Sequence, residues 1–234
     1  MSLSLGLKCR WHREDCAERR CDRVSILFTV QEGSQLAIFN FSVIRAFQVI
    51  FSWWAMIHIL RKIFDNSLIE FTSREAENIL NGTSERNLCA RWAPLLEKIA
   101  TEGGLASYYA DVEYNRKQDG KVKTILDEEW QVVSITCDLI LHSRGNVVES
   151  DNLIAIEMKR SEHPEEEKRK DRMRLRAMTK SSYDGVWSND GKVHPEHVCG
   201  YSLGYYVELV AAARLFLVEE YQKGELVNRF QHRF

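Results

Sequence analysis

Apolar residues recur at regular intervals from Met56 onward and lose that regularity before it. Ile57, Leu60, Ile63, Phe64 and Leu68 share one face of a helical period, which predicts a helix. Residues 73–80 predict a second, short helix with Ser73 as its N-cap and Asn81-Gly82 as its terminator. A third helix follows Thr83-Ser84, with an apolar stripe of Leu88, Trp92, Leu95, Leu96 and Ile99, and Gly103-Gly104 stops it. Pro94 conflicts with that stripe, because proline removes a helical hydrogen bond, so a bend or two shorter helices are expected.

Strand-like runs then alternate with turns. SYYADVEYNR (107–116) and KVKTIL (121–126) come first, followed by QVVSITCDLILH (131–142) and LIAIEMK (153–159). His163-Pro164 and three glutamates open a further helix, with proline early and acids in the first turn. VCGYSLGYYVELV (198–210) and RLFLVEEY (214–221) read as strands, Gly204 weakening the first. Helices, then several strands, then a helix, then strands is an α+β order, and it predicts a mixed central β-sheet flanked by α-helices.

Residues 1–55 stand apart from this 56–234 domain. Residues 1–23 mix arginine and cysteine without periodicity, and 36–60 are strongly apolar. A membrane span needs roughly 18–20 apolar residues. Arg45 interrupts the run, at a cost of at least about 2.5 kcal/mol in lipid, and Asn40, Gln48 and His58 weaken it further. A signal peptide is disfavoured, since no small-residue cleavage site follows. The expectation is that Met56 is the true start; a weak membrane anchor and a helical accessory segment are the alternatives. Cys9, His12, Cys16 and Cys21 do not have the spacing of common zinc sites. Cys89 and Cys137 fall in apolar segments, as buried free thiols do, so a reducing cytoplasm is expected and the Asn81-Gly82-Thr83 sequon is idle.

Candidate chemistry lies on the two runs around Asp138 and Glu157. Side chains alternate faces along a strand, so Glu157 and Lys159 point the same way, and Asp138 joins them if the strands are neighbours. Paired carboxylates are hard oxygen ligands suited to Mg²⁺ or Mn²⁺. A lysine beside such a metal can orient or deprotonate a water. A strand that merely ends in exposed charges gives the same triplet.

CDLILH, a turn, then LIAIEMKRS resembles the PD-(D/E)xK nuclease superfamily, with Cys137 where that family places proline. The resemblance covers residues 84–209. It implies a restriction-endonuclease-like core and metal-dependent hydrolysis of phosphodiester bonds. Asp138 and Glu157 would hold Mg²⁺ (or Mn²⁺) with the backbone carbonyl of Ile156 or Met158. Lys159 would act on the attacking water, with Glu85, an acid on the first core helix, assisting. It also implies DNA rather than RNA as partner, a homodimer, and a role in restriction, repair or phage defence. The rival reading is a non-catalytic nucleic-acid-binding or scaffold module on the same fold.

The formal net charge of −2 does not announce a nucleic-acid binder. Residues 168–180 nevertheless carry seven Lys/Arg and one acid, a stretch able to meet phosphates. Arg172, Arg176 and Lys180 form an i,i+4 row suited to that contact. Ion pairing of Arg169 and Lys170 with Glu165 and Glu166 is the plainer reading. Tyr183 and Trp187 could stack on bases, though packing is the ordinary role. Glu113 shares a face with Asp111 and Asn115, and a solvent-facing role is expected. His142 reads as a polar strand-end residue, and His194 and His197 lack ligand spacing. No phosphate-cradling glycine motif, G-x-S-x-G, H-E-x-x-H or dinucleotide fingerprint occurs, which disfavours NTPases, serine hydrolases, zincins and Rossmann enzymes.

Overall fold

The computed structural model describes residues 36–113, 124–126, 132–134, 136–147, 150–180 and 200–234, with side chains given from Trp53 onward except in 124–126 and 132–134. The chain forms two compact units, Met1–Ile44 and Arg45–Phe234. Of the first, only helical backbone from Leu36 is described. The zinc candidates of the N-terminus, Asn115, Tyr183, Trp187, His194, His197 and Cys199 lie outside the described residues.

Helix α1 runs from Leu36 to Leu80 without interruption. The separate helix expected over 73–80 is therefore the end of this one, and Ser73 is not a cap. Two facts explain the continuity. Phe71 and Ile79 extend the buried stripe of Ile57, Leu60, Ile63, Phe64 and Leu68. The Ser67 and Thr72 hydroxyls donate back to the carbonyls of Phe64 and Leu68, at 2.8 and 2.9 Å, so they do not compete with the helix for backbone donors. Helix α2 spans Glu85–Glu102, with Ser84 as its N-cap accepting from the Asn87 N–H. It remains one helix through Pro94. Pro94 and Ala90 both lie on the exposed face, where the carbonyl that proline leaves unbonded can be hydrated.

A six-stranded sheet follows, in the order β1-β4-β5-β6-β7-β8. Its strands are β1 Tyr109–Val112, β4 Leu139–His142, β5 Asn152–Arg160, β6 Leu203–Val210, β7 Leu215–Gln222 and β8 Glu225–Arg233. The β5–β6 pair is parallel and the other pairs are antiparallel, so the sheet is mixed and the fold is α+β. The run 131–142 does not form one strand. Its first part, β3 Val132–Ser134, pairs instead with β2 Thr124–Leu126 as a separate ribbon. Strand β8 escaped the sequence reading because, as an edge strand, it buries little beyond Phe230. The turn into it uses Lys223 (φ 50°) and Gly224 (φ 81°), the left-handed pair of a tight hairpin.

Helices cover both faces. Leu60, Phe64, Trp92 and Leu96 pack with Leu139, Ile156, Tyr205 and Phe216 on one face. There Phe64 stacks on Tyr205, Phe71 stacks on Trp92, and the Trp92 Nε1–H donates to Ser67 Oγ at 3.0 Å. Each buried aromatic contributes about 1.5–3 kcal/mol of burial. On the other face lies α3, Glu165–Thr179, where Leu175 and Met178 pack with Ile140, Ala155 and Tyr206. Gly204 admits α3 to close range: a Cβ there would stand 2.9 Å from Thr179 Cγ2. Among the described residues, no helix is long and apolar enough to cross a membrane.

Candidate active site

Asp138 sits immediately before β4, and Leu139 pairs with Ile156 of β5. The β4–β5 ladder ends there, so Met158 has no partner residue on β4. Asp138 Oδ2 accepts the Met158 N–H at 2.8 Å, which clamps its carboxylate against β5. The Cys137 thiol donates to the Ile156 carbonyl at 3.2 Å, so the position before Asp138 is occupied by a buried hydrogen-bonded thiol. Burial pushes the thiols of Cys137 and Cys89 well above the usual range, with the nearby carboxylates adding to the effect.

Ala155, Glu157 and Lys159 alternate onto the α3 face of β5 while Ile154, Ile156 and Met158 enter the opposite core. Glu157 is 1% exposed and lies close enough to Asp138 for the two carboxyl groups to influence each other. Burial raises its pKa well above the carboxylate range; the Asp138 charge raises it further, and Arg174 opposes both. Asp138 is likewise raised by burial, against the Met158 N–H and Glu157 contacts. Lys159 Nζ lies 3.3 Å from Asp171 Oδ2 and 3.7 Å from Glu85 Oε2. Burial disfavours its charge, but Asp171 and Glu85 outweigh this and hold Lys159 above the ordinary lysine value, hence cationic at neutral pH.

Glu85, in the first turn of α2, reaches the end of the same strand. Its Oε1 accepts the Arg160 N–H at 2.6 Å and lies 3.2 Å from His163 Nε2. Arg160 Nη2 donates to the Thr83 carbonyl at 2.6 Å, tying β5 to the start of α2. The four residues singled out in the sequence, Asp138, Glu157, Lys159 and Glu85, thus occupy one neighbourhood at the end of β5. Met158 joins through its backbone, its side chain being fully buried on the opposite face.

Two residues there carried no sequence signal. Arg174 Nη1 donates to Glu157 Oε1 at 2.6 Å and to the Thr136 carbonyl at 3.3 Å, and Nη2 donates to Asp171 Oδ1 at 3.2 Å. Both lie inside the basic stretch, where helical phase alone separates them from their solvated neighbours. The other row of that helix faces elsewhere. Arg172 contacts Glu165, Glu208 and Glu219 at 2.6, 3.5 and 3.0 Å and lies over the Tyr206 ring. Arg176 donates to the Gly224 carbonyl at 3.0 Å, and Lys180 is exposed. Arg169 pairs with Glu166 at i,i+3, at 2.9 Å. Glu113 pairs with Arg86 at 2.5 Å, and its N–H donates to the Asp138 carbonyl. His142 is buried, with Nε2 2.9 Å from Asp111 Oδ2.

Among the described residues, no three His, Cys, Asp or Glu side chains converge as a ready-made metal cage. Magnesium does not need one: it binds through one or two carboxylates and completes its shell with water and substrate phosphate. The Asp138–Glu157 pair fits that use. The site sets the carboxylates of Asp138, Glu157, Asp171 and Glu85 beside Lys159 and Arg174. A scan against family models finds no match, and no curated protein or solved structure is significantly similar to the chain.

Proposed function

We propose that this chain is a metal-dependent nuclease of the PD-(D/E)xK type, built on a restriction-endonuclease-like core and hydrolysing phosphodiester bonds in DNA. The observation that carries the reading is the convergence of Asp138, Glu157 and Lys159 on one sheet face, with Glu85 arriving from α2. Two buried carboxyl groups side by side are costly to ionise together, and such an arrangement is kept where a cation is handled. Asp138 and Glu157, with the Met158 carbonyl, would hold Mg²⁺ or Mn²⁺. When bound, the ion supplies Lewis acidity toward the phosphoryl oxygens and a more acidic water. Lys159 is held as an ammonium, so its part is to donate a hydrogen bond that orients the attacking water and to stabilise negative charge developing on phosphorus. Glu85 and Asp171 hold that ammonium in place. Exposed Lys180 is the member of the basic row best placed to meet a phosphate, Arg172 being committed to carboxylates.

A second reading, a non-catalytic module on the same fold, is favoured by one observation: Arg174 already neutralises Glu157. Turnover separates the two. Mixed DNA and RNA substrates are incubated with the full chain in Mg²⁺, Mn²⁺ or EDTA, beside Lys159→Ala and Asp138→Ala. The nuclease reading expects metal-dependent cutting that falls at least about 10²-fold in either variant, both remaining folded. Cutting at the wild-type rate by either variant would overturn the site, and no cutting by folded wild type would favour the binding module.

A further inference from the structure

Glu157 is almost fully buried, and a lone carboxylate at such a depth does not stay charged without a partner. Its partner is Arg174 of α3, at 2.6 Å. The guanidinium does not close a two-pronged contact on Glu157. Nη1 serves Glu157 and the Thr136 carbonyl, while Nη2 serves Asp171. This geometry has two consequences. A divalent ion on the Glu157 carboxylate would stand one oxygen away from a guanidinium in a poorly solvated setting, where like charges repel strongly. And Arg174 can release Glu157 while Asp171 still holds its other nitrogen, its side chain being 26% exposed and so open to solvent.

Resting on the metal-dependent reading above, we propose that Arg174 is a stand-in for the metal ion: it occupies the Glu157 carboxylate in the metal-free protein, and metal binding requires its displacement. Arg174 is a positioning residue in this account, acting through Glu157. It holds the buried carboxylate in place until a cation arrives, and it sets the metal concentration at which the exchange occurs. Asp171 is its pivot and also anchors Lys159, at 3.3 Å, so the exchange takes place beside the ammonium without removing that ammonium's own anchor.

The test is a calorimetric titration of the full chain with MnCl₂, for wild type, Arg174→Gln and Asp138→Asn. Arg174→Gln removes the competing charge but keeps a hydrogen-bond donor toward Glu157, so the buried acid is not abandoned. The expected result is Mn²⁺ affinity about tenfold or more tighter in Arg174→Gln than in wild type, with binding lost in Asp138→Asn. Unchanged or weaker affinity in Arg174→Gln, with binding still abolished by Asp138→Asn, would make Arg174 a scaffold for the carboxylates; it would overturn the exchange while leaving the metal site standing. Mn²⁺ binding that survives Asp138→Asn, or no binding by wild type and Arg174→Gln alike, would overturn both.

Discussion

Asp138 and Glu157 bring like charges into a setting that disfavours both. Each has its folded-state pKa raised, by burial first, so the unfolded chain releases these protons at lower pH than the folded one. The sign follows: their contribution to stability is full below the ordinary carboxylate range and is lost as pH rises through the raised folded values. Asp138→Asn removes one of the two charges and can keep the Met158 N–H contact through its amide oxygen. In EDTA at neutral pH this variant is expected to melt roughly 2–4 °C above wild type, the size of about 1 kcal/mol in a chain of this length. The gain should shrink as pH falls toward the carboxylate range, and a gain independent of pH would refute its electrostatic origin. At this scale the acidic pair and Lys159 were legible because a two-residue period fixes which side chains share a face. Asp171 and Arg174 were not, because their role depends on how α3 is rotated against the sheet, which its dense mixture of acids and bases obscures.

Helix α3 divides its cations between two duties. Arg174 is turned to buried Glu157 and Lys168 to half-buried Glu208, at 2.7 Å, while the Arg172–Arg176–Lys180 row runs over β6, β7 and the hairpin turn. Arg172→Ala is therefore expected to cost about 2 kcal/mol, visible as a lowered Tm, with little change in the salt dependence of DNA binding. Lys180→Ala should leave Tm unchanged and reduce the slope of log affinity against log salt by about 1. The opposite pattern would return the phosphate role to Arg172. Gly204→Ala, set against Thr179, is expected to destabilise by roughly 1–3 kcal/mol, since the methyl group either pushes α3 away or distorts β6. A variant as stable as wild type would show that α3 yields at no cost. The one-sided apolar stripe of α2 and the apolar runs of β5 and β7 were readable directly. Errors arose where packing overrode local signals: Ser73 resembled a cap inside a helix that tertiary contacts keep intact, and β8 lacks the apolar alternation of a covered strand.

The molecule as a whole has a formal charge of −2, and its proposed partner is a polyanion. Contact with phosphate then depends on local charge, and the acid-rich end of β5 is where negative charge is offset when a divalent cation binds. That end joins β4, β5, α2 and α3 through Asp138, Glu157, Glu85 and Arg174. A ligand bound there stabilises the folded unit by mass action, by about 2.7 kcal/mol at a hundredfold excess over its dissociation constant. For a chain of this length that corresponds to a rise in Tm of roughly 5–11 °C. Wild type is expected to show this rise in Mn²⁺ and Asp138→Asn to show none. Because the same substitution relieves repulsion when metal is absent, the two proteins should exchange rank: Asp138→Asn melts higher in EDTA and lower in saturating Mn²⁺. Thermal melts of both proteins across a Mn²⁺ series check this directly. Parallel curves that never cross would mean that the cost of pairing two buried carboxylates serves no metal ion at this site.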